Sequence, residues 1–460
     1  MRRQKNSFGK VVIFLVLAIV AAAAVFVFLS PQFEKKAPEI TTESNLFWNG
    51  KDKLTISLAD ESGIKEYSAY YVGNNGPVVI NSQKISSKQT NVTFNLGDIR
   101  LNPNAKSIKI IVEATDRSNW NLFQGNTVSK EFILDVDRKR PVANVITNSY
   151  NIRQGGSAAV VVEVKDENLS DKYITFNNDY RFELIPYKKE NFYVAIIAWP
   201  VWEEEFSRVN LVAVDKANNK TISKVPLYIK DLKIKNDKIK ISKNFIERKS
   251  IPVLQRSDFE VPVNDVDIFV KQNRDLRVSN VATIRKASLE NMSKEMVSKF
   301  DLKPFRRLSG SKTFAGFAER RHYYYEGDKI DEAWHLGMDW ASIKHATINV
   351  SNDGRVIFND YLGIYGNTLV IDHGFGVQSL YAHTSKSFVQ TSENVRAGDK
   401  IATTGSSGAV FGDHLHFGVL VQGIEVNPTE WMDRYWLREN VTKIINQAKK
   451  VIDSKWNKEQ

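Results

Sequence analysis

The 460-residue chain contains no cysteine and only seven histidines. The absence of cysteine excludes disulfides, a thiol nucleophile, and any zinc or iron–sulfur site built from thiolates. A bound metal must therefore rely on histidine and carboxylate ligands, so a cluster of these few histidines is informative. Hydrophobic residues make up 42% of the chain and charged residues 25%, which excludes a largely disordered or collagen-like protein. A chain of this length is expected to hold about three domains.

The balance of charge is basic, with a formal net charge of +11 at pH 7 from 64 basic and 53 acidic residues. Such an excess favours nucleic acid, anionic lipid or an anionic wall polymer as partner. The lysines and arginines are scattered, and neither an RNP-like motif nor a helix-turn-helix pattern is present. Nucleic acid is therefore not expected as a partner.

One long apolar run, Val11 to Leu29, lies near the N-terminus, and no second run of spanning length exists. At about 1.5 Å rise per residue it roughly spans a hydrocarbon core. Basic residues precede it at Arg2, Arg3, Lys5 and Lys10. Because a cationic flank stays in the cytoplasm, we predict that residues 1–37 form a cytoplasmic flank and a single-pass anchor in the inner membrane. The bulk of the chain is then periplasmic or extracellular. A cleaved signal peptide is the alternative.

From about residue 38 to residue 231, short strand-like segments rich in β-branched residues alternate with turns. A weak internal echo is present, because VEATDRSN at Val112–Asn119 is loosely similar to VAVDKANN at Val212–Asn219. The offset of about 100 residues is the size of an immunoglobulin-like sandwich. We predict two such β-sandwich modules, at 38–138 and 141–231, which act as spacers or as binding arms for envelope proteins.

Two further segments are predicted to be at least partly helical. Residues 232–310 begin with a lysine-rich linker and continue with helix-like sequence. This helical part is interpreted either as a small packing element or as a lid over the site described below, which would move aside to admit substrate. Residues 433–460 have the apolar period of an amphipathic helix of about five turns. We expect it to pack on the domain before it, with contact to a membrane surface as the alternative.

Four of the seven histidines, together with Asp339, fall in three clusters between residues 335 and 416. His414 and His416 lie in a strand-like segment, where a spacing of two places both imidazoles on one face. His335 and Asp339 are four residues apart. If they do not bind a metal, they form a surface ion pair or a core histidine with an Asp partner. Together, His335, Asp339 and His416 would supply the two histidines and one carboxylate of a common zinc site that leaves one position for water.

His383 follows a strand-like run and, taken alone, would be read as a structural residue. The sequence has no HExxH motif, so no glutamate is placed beside the ligands to take a proton. With three ligands assigned, His383 and His414 remain free to accept a proton from an attacking water and to stabilise an oxyanion on a carbonyl. The remaining histidines are read as surface or structural residues: His322, His345 and His373.

The clusters belong to an ordered series of motifs between about residues 316 and 431. The series comprises Glu319–Arg321, HLGMD at 335–339, Gly366–Asn367, Ile371–Gly374, Ser379–His383, Val395–Gly398, Gly405 through Phe417, and Val426–Pro428. In this order the motifs resemble the lysostaphin/LytM-like zinc metallopeptidases, which cut peptide cross-links in bacterial peptidoglycan. The resemblance covers about a quarter of the chain. It implies a mostly antiparallel β domain, placed here at 311–432, with its site in a groove.

The resemblance also implies a role for each clustered side chain. His335, Asp339 and His416 would ligate one zinc ion per chain, and His383 and His414 would be the catalytic histidines. Family members that have lost activity and act as regulators typically lack some of these side chains, whereas this chain has all five.

The sequence therefore predicts a mainly β protein with an N-terminal transmembrane helix and two immunoglobulin-like β-sandwich modules. A C-terminal antiparallel β metallopeptidase domain with a flanking C-terminal helix completes it. The predicted function is a membrane-anchored zinc metalloendopeptidase that hydrolyses peptide cross-links or stem peptides of peptidoglycan. The alternative is a non-catalytic envelope adaptor or activator of other wall hydrolases. A metal-dependent phosphoesterase fits less well, because no further Asp-His pair follows the HxH.

Overall fold

The computed structural model describes residues 7–42, 46–73, 76–96, 99, 102 and 104–459. Arg2, Arg3 and Lys5, predicted as a cytoplasmic flank, lie outside these ranges. The described chain is mainly β, with an apolar helix at its beginning and a helix at its end, which confirms the predicted fold class. It divides into two compact units, Met1–Arg140 with Val214–Asn219, and Pro141–Ala213 with Lys220–Gln460.

The first helix, α1, spans Ser7–Leu29 and continues into a short 3₁₀ turn at Pro31–Phe33. Its segment Phe8–Leu29 is long and apolar enough to cross a membrane, and it is not buried inside the protein. This length and composition fit both a membrane anchor and a signal sequence.

Two sheets follow α1 and form the first β module. Its elements are β1 Glu39–Thr42, β2 Phe47–Trp48, β3 Thr55–Ala59, β4 Ile64–Gly73, β5 Gly76–Lys84, β6 Asn91–Asn95, β7 Ser107–Asp116, the short helix α2 Trp120–Phe123, and β8 Thr127–Val136. One sheet has the order β1-β3-β6 and the other β2-β8-β7-β4-β5. Residues of both sheets, including Ile56, Leu58, Ile110 and Val112, share one hydrophobic core. The immunoglobulin-like character of this module stays a prediction.

The second β module begins after Pro141. Its strands are β9 Val142–Asn148, β10 Asn151–Arg153, β11 Ser157–Lys165, β12 Leu169–Phe176, β13 Tyr180–Glu183, β14 Ile185–Pro186, β15 Phe192–Ala198, β16 Val209–Asp215, β17 Lys220–Lys224 and β18 Tyr228–Lys230. They form two four-stranded sheets, β14-β15-β11-β9 and β13-β12-β16-β17, and a parallel pair of β10 with β18. The hydrophobic core of this module is continuous with that of the C-terminal β domain, since one cluster contains Ile196 of β15 and Val419 of the later sheet.

A strand and a run of helices lead to the C-terminal domain. They are β19 Lys235–Lys240, α3 Lys243–Phe245, α4 Ile251–Arg256, α5 Asp265–Lys271 and α6 Arg277–Glu290, with π-helical turns at Ile246–Ser250 and Gln272–Leu276. We call residues 243–290 the helical cover. Its buried residues Leu254, Phe269 and Ile284 share a core with Ile364 and Leu380 of the C-terminal domain.

The C-terminal domain is built on an eight-stranded antiparallel sheet. Its strands are β20 Lys312–Ala315, β21 Glu319–Tyr325, β22 Asp328–His335, β23 Met338–Ala341, β24 Thr347–Asn349, β25 Gly354–Leu362, β26 Gly366–Asp372, β27 Val377–Thr384, β28 Lys386–Ser387, β29 Asn394–Val395, β30 Lys400–Thr403, β31 Leu415–Val421 and β32 Ile424–Val426, with a 3₁₀ turn at Gly363–Tyr365. The sheet has the order β20-β23-β31-β27-β26-β25-β29, with β32 paired to β31. Two three-stranded sheets, β19-β21-β22 and β24-β30-β28, flank it.

The chain ends in helices α7 Pro428–Met432, α8 Arg434–Leu437 and α9 Lys443–Glu459, with a π-helical turn at Arg438–Thr442. The apolar period correctly predicted α9. We expected this helix on the 311–432 domain, but the structure packs it against β9 and β11 of the second module. The Thr147 hydroxyl donates to the Ile444 carbonyl, and Lys455 forms an ion pair with Glu163 at 2.8 Å.

Candidate metal centre

Three neighbouring strands of the large sheet bring the predicted site residues together. Asp339 on β23 lies directly opposite His416 on β31. His383, near the end of β27, follows the residue that pairs with His416 from the other side. His335 is the last residue of β22, and His414 immediately precedes β31. Sheet register thus converges all five side chains, although the sequence separates the first from the last by 81 residues.

The three predicted metal ligands face one another closely. His335 Nε2 lies 3.1 Å from Asp339 Oδ1 and 3.2 Å from His416 Nδ1. His416 Nδ1 lies 2.9 Å from Asp339 Oδ1. A tetrahedral zinc ion bound at about 2.0–2.1 Å separates its ligand atoms by about 3.3 Å. The spacing and the N, N, O donor set therefore fit one zinc ion with a fourth position left open.

Neighbouring groups orient these ligands. The Nδ1–H of His335 donates to the Gly316 carbonyl at 2.7 Å, which leaves Nε2 as the ligand atom. The second oxygen of Asp339, Oδ2, faces the Arg321 guanidinium at 3.4 Å. Arg321 was singled out in the sequence only as part of a motif, because its contact with Asp339 depends on how β21 and β23 are placed.

Gly337 allows the His416 ring to approach the chain between the other two ligands. A Cβ atom at this position would lie 2.5 Å from His416 Nε2 and 2.7 Å from the Phe417 carbonyl oxygen. Both distances are far below van der Waals contact. Residue 337 must therefore lack a side chain if His416 is to keep its position.

The electrostatics of the ligands suit a cation. Burial acts to raise the pKa of Asp339, but the imidazoles of His335 and His416 outweigh it and hold that pKa well below its usual value. Burial lowers the pKa of His416 to about 4. An ionised carboxylate and a neutral imidazole are the protonation states that metal coordination requires.

His383 and His414 lie side by side next to the ligands, with ring centroids 4.9 Å apart. The Nδ1–H of His383 donates to the Ser407 carbonyl at 2.9 Å, so its Nε2 is left with a free lone pair. Burial, reinforced by the neighbouring His414 and His416, lowers the pKa of His383 well below its usual value, so this imidazole is neutral. Its backbone is left-handed, with φ +61°, a strained conformation of the kind found at functional sites.

The three remaining histidines lie outside this cluster. His373 donates from Nδ1 to the Asp353 carbonyl at 2.8 Å and accepts from the Ser379 hydroxyl at 2.7 Å, so it is a structural residue. His345 contacts Ser385, and His322 contacts Asn236 and Glu332.

The metal centre opens into a groove of about 270 Å³. His335, Asp339, His383 and His416 line it together with residues of the helical cover, which include Phe245, Phe269, Asn273 and Arg277. The cover is fixed to the β22 strand, since Asn273 Nδ2 and Arg274 Nε donate to the carboxylate of Asp331 at 2.8 and 2.9 Å. The helical segment thus lines the groove, and its role as a lid or as a packing element stays a prediction. Its groove-lining aromatic residues were not predicted, because no spacing in the sequence relates them to the histidines.

Comparison with known proteins assigns the region of the metal centre. Residues 333–428 match the model of Peptidase family M23. The DD-carboxypeptidase/endopeptidase Mpg of Neisseria meningitidis is 42% identical over 106 residues, which are 23% of this chain and 24% of that protein. The murein hydrolase activator EnvC of Escherichia coli is 37% identical over 113 residues, which are 25% of this chain and 27% of that protein. The chain thus spans about a quarter of the length of these curated relatives.

Among solved structures, the catalytic domain of the antimicrobial peptidase lysostaphin from Staphylococcus simulans is similar to part of the chain. The match has 23% identity and a TM-score of 0.24, over 27% of this chain and 94% of that one. The range matched by the family model contains all five predicted site residues.

Proposed function

We propose, from the premise that residues 333–428 form a peptidase family M23 domain, that the chain is a membrane-anchored zinc metalloendopeptidase. Its substrates would be the peptide cross-links or stem peptides of bacterial peptidoglycan. The observation that carries the proposal is the convergence of His335, Asp339 and His416, whose ligand atoms lie 2.9–3.2 Å apart beside two further histidines. The names of the relatives, an endopeptidase and a murein hydrolase activator, support a role at the cell wall.

The metal ligands of the proposed enzyme are His335 Nε2, His416 Nδ1 and Asp339 Oδ1. When bound there, a zinc ion supplies Lewis-acid chemistry that lowers the pKa of a water molecule and polarises a carbonyl. Arg321 and the Gly316 carbonyl hold two of the ligands in orientation.

The two other histidines handle protons in this proposal. His383 is neutral and its Nδ1–H is held by Ser407, so Nε2 accepts the proton of the attacking water and later delivers it to the leaving amine. His414 points Nε2 toward Asp339, at 3.9 Å from Oδ1. The Nδ1–H of His414 donates to the Gly412 carbonyl at 3.1 Å, so a donor at Nε2 requires the imidazolium form, which would donate to the oxyanion on the scissile carbonyl.

In this proposal, helix α1 determines where the enzyme is located. Retained as an anchor, it would hold the chain in the inner membrane with both β modules and the metal centre on the periplasmic or extracellular side.

A second candidate function is activation of other wall hydrolases without catalysis. It is favoured by the similarity to EnvC and by the helical cover, which lines the same groove as the metal ligands. The complete set of five side chains favours the enzyme instead.

The experiment uses the full-length chain, purified in detergent, with release of muropeptides from sacculi and bound zinc as separate measurements. A chelator should abolish hydrolysis and zinc should restore it. His416→Ala should lose both zinc and hydrolysis. His383→Ala should keep zinc and lose hydrolysis by at least about a hundredfold. His345→Ala, which alters a histidine outside the cluster, should keep both.

Hydrolysis that continues after the metal is removed would refute the enzyme, and a metal-free His383→Ala protein would refute the assigned roles. A zinc-loaded wild type that releases nothing itself, but stimulates another wall hydrolase, would establish the activator.

A further inference from the structure

A second large cavity, of about 1010 Å³, lies between the second β module and the C-terminal helices. It shares no lining residue with the groove at the metal centre. One wall comes from β10, β17 and β18 with their loops, and the other from α8, α9 and the turn between them. We call it the tyrosine groove, after its lining residues Tyr150, Tyr228 and Tyr435.

The three tyrosine rings are unusually exposed for side chains of their size. Tyr150 is 67% exposed, Tyr228 is 64% exposed and Tyr435 is 68% exposed. Tyr150 and Tyr228 stack on each other at 4.6 Å between centroids, next to the parallel pairing of β10 with β18. Single exposed apolar side chains are ordinary, but a group of them around one concave surface indicates a binding site. Aromatic rings with a polar hydroxyl suit a ligand that has both apolar and polar faces.

The polar lining favours a ligand rich in hydroxyl and amide groups. The side-chain amides of Asn151 and Gln447 form no hydrogen bond with any residue in the described part of the chain. They are therefore available both to donate and to accept. A pyranose ring offers the matching combination, since its C–H face stacks on an aromatic ring while its hydroxyl and acetamido groups point to the rim.

The charges of the groove favour an anionic form of such a ligand. Glu439 is already paired with Lys443 at 2.9 Å and Arg438 at 3.0 Å. The carboxylate of Asp433 accepts hydrogen bonds from the first backbone N–H groups of α8. Lys224 and Lys230 also line the groove, and neither forms an ion pair within the described ranges. The uncommitted charge is therefore positive and complements a carboxylate.

We propose that the tyrosine groove binds an anionic glycan, a chain of amino sugars that carry carboxylate groups. The identity of this glycan as the sugar backbone of peptidoglycan rests on the proposed function. The groove and the metal centre belong to the same compact unit. A glycan held in this groove would raise the local concentration of its attached peptides around that unit.

The test measures binding of peptide-free glycan strands of alternating N-acetylglucosamine and N-acetylmuramic acid to the full-length chain in detergent. Neutral chitotetraose and the free stem peptide are the comparison ligands. Replacing both Tyr150 and Tyr228 by alanine should weaken glycan binding by about tenfold or more, whereas the double phenylalanine variant should bind nearly as well as the wild type. Lys224→Ala should reduce the preference for the carboxylate-bearing glycan over chitotetraose, since Lys230 remains in the groove. Lys165→Ala, at an exposed lysine of the same module, should not.

If the double alanine variant binds the glycan as tightly as the wild type, the tyrosine groove is not its binding site. Tighter binding of the free peptide than of the glycan would also overturn the proposal. If the double alanine variant unfolds at a lower temperature than the wild type, the exposed Lys224 substitution still decides the outcome. Sacculus hydrolysis is scored separately. Glycan binding without hydrolysis overturns the proposed enzyme alone, and hydrolysis without glycan binding overturns the groove alone.

Discussion

Both β modules contain an aspartate at the end of a strand that binds a later asparagine, but the two modules differ in the burial of their strands. In each, an aspartate at the end of a strand accepts hydrogen bonds from the backbone and side-chain amides of a following asparagine, Asp116 from Asn126 and Asp215 from Asn219. In the first module, β7 alternates buried and more exposed residues. In the second module, β11 and β15 are buried along almost their whole length.

This difference separates a module with one buried face per strand from a module buried on both faces. The two sheets of the first module enclose a hydrophobic core of their own. The second is covered by α9 on β9 and β11, and its core runs on into the C-terminal sheet. Two stretches of related sequence thus have different physical roles, and the second module belongs to the folding unit that carries the metal centre. A spacer role stays a prediction for the first module.

The largest expected effect comes from the same substitution made in both cores. Ile196→Ala in β15 and Ile110→Ala in β7 each remove a fully buried side chain. Each should lower the free energy of unfolding of its own unit by about 2–5 kcal/mol. If the proposed hydrolysis is present, only Ile196→Ala should lower the temperature at which it is lost, because the core around Ile196 is continuous with the sheet that carries the candidate metal centre. Calorimetry and thermal inactivation measure the two effects, and equal inactivation of both variants would contradict the distinction.

A second prediction concerns pH and the buried carboxyl of Glu425 on β32. This side chain is 2% exposed. Burial raises the pKa of Glu425 from 4.5 to about 7. The folded state therefore binds the proton more tightly, and its stabilising effect, full below about pH 4.5, is lost as pH rises through about 7.

Glu425→Gln should remove this loss, which amounts to about 3 kcal/mol between those pH values. Urea unfolding at pH 5 and pH 8 measures it in the second unit, and the transition of the first unit serves as an internal control. The exposed Glu290→Gln, on α6, should leave the pH dependence as it is. A Glu425→Gln variant whose stability changes between pH 5 and pH 8 by as much as that of the wild type would show that the carboxyl is not protonated in the fold.

The smallest effect on stability, with the clearest effect on turnover, is expected at the helical cover. Asp331→Ala removes the carboxylate that accepts from Asn273 and Arg274, and leaves the buried Asn273 amide only its longer bond, of 3.3 Å, to the Glu332 carbonyl. The loss should cost about 1–3 kcal/mol locally. If the cover acts as a lid, the variant should hydrolyse sacculi faster and exchange its amide hydrogens faster over residues 243–290.

Asp275→Ala is the matched control, because it removes a more exposed ion pair with Lys271 in the same segment. It should change neither measurement. Faster exchange with an unchanged or slower rate of hydrolysis would establish the cover as a packing element, the other interpretation of this segment.

Sequence periodicity predicted the parts of the site that are local. The two-residue spacing of His414 and His416 placed both on one strand face, and both rings do point to Asp339. The meeting of Asp339 with His416 depends on the register of β23 against β31. That register is set by long-range pairing, so only the family resemblance could indicate it. The contact of Arg321 with Asp339 and the aromatic lining of the groove have no local signal.

The fold shows the same limit. The apolar period over the last residues predicted a helix but not the surface that it covers. A signal for that surface was present in β11, whose run Ala158–Val162 is apolar without alternation, as expected of a strand buried on both faces. The sequence of β7 alternates instead. The helix that covers β11, α9, lies about 290 residues further along the chain, so no local sequence pattern relates the two.

Gly337 is a position that the candidate metal centre requires although its residue is not a metal ligand. Any side chain at this position would collide with the His416 ring and the Phe417 carbonyl, and would push one ligand away from the other two. Such a variant would keep every histidine and aspartate of the centre and still fail to hold an ion. The three ligands are therefore not sufficient by themselves, and the absence of a side chain at residue 337 is a further requirement of the candidate metal centre.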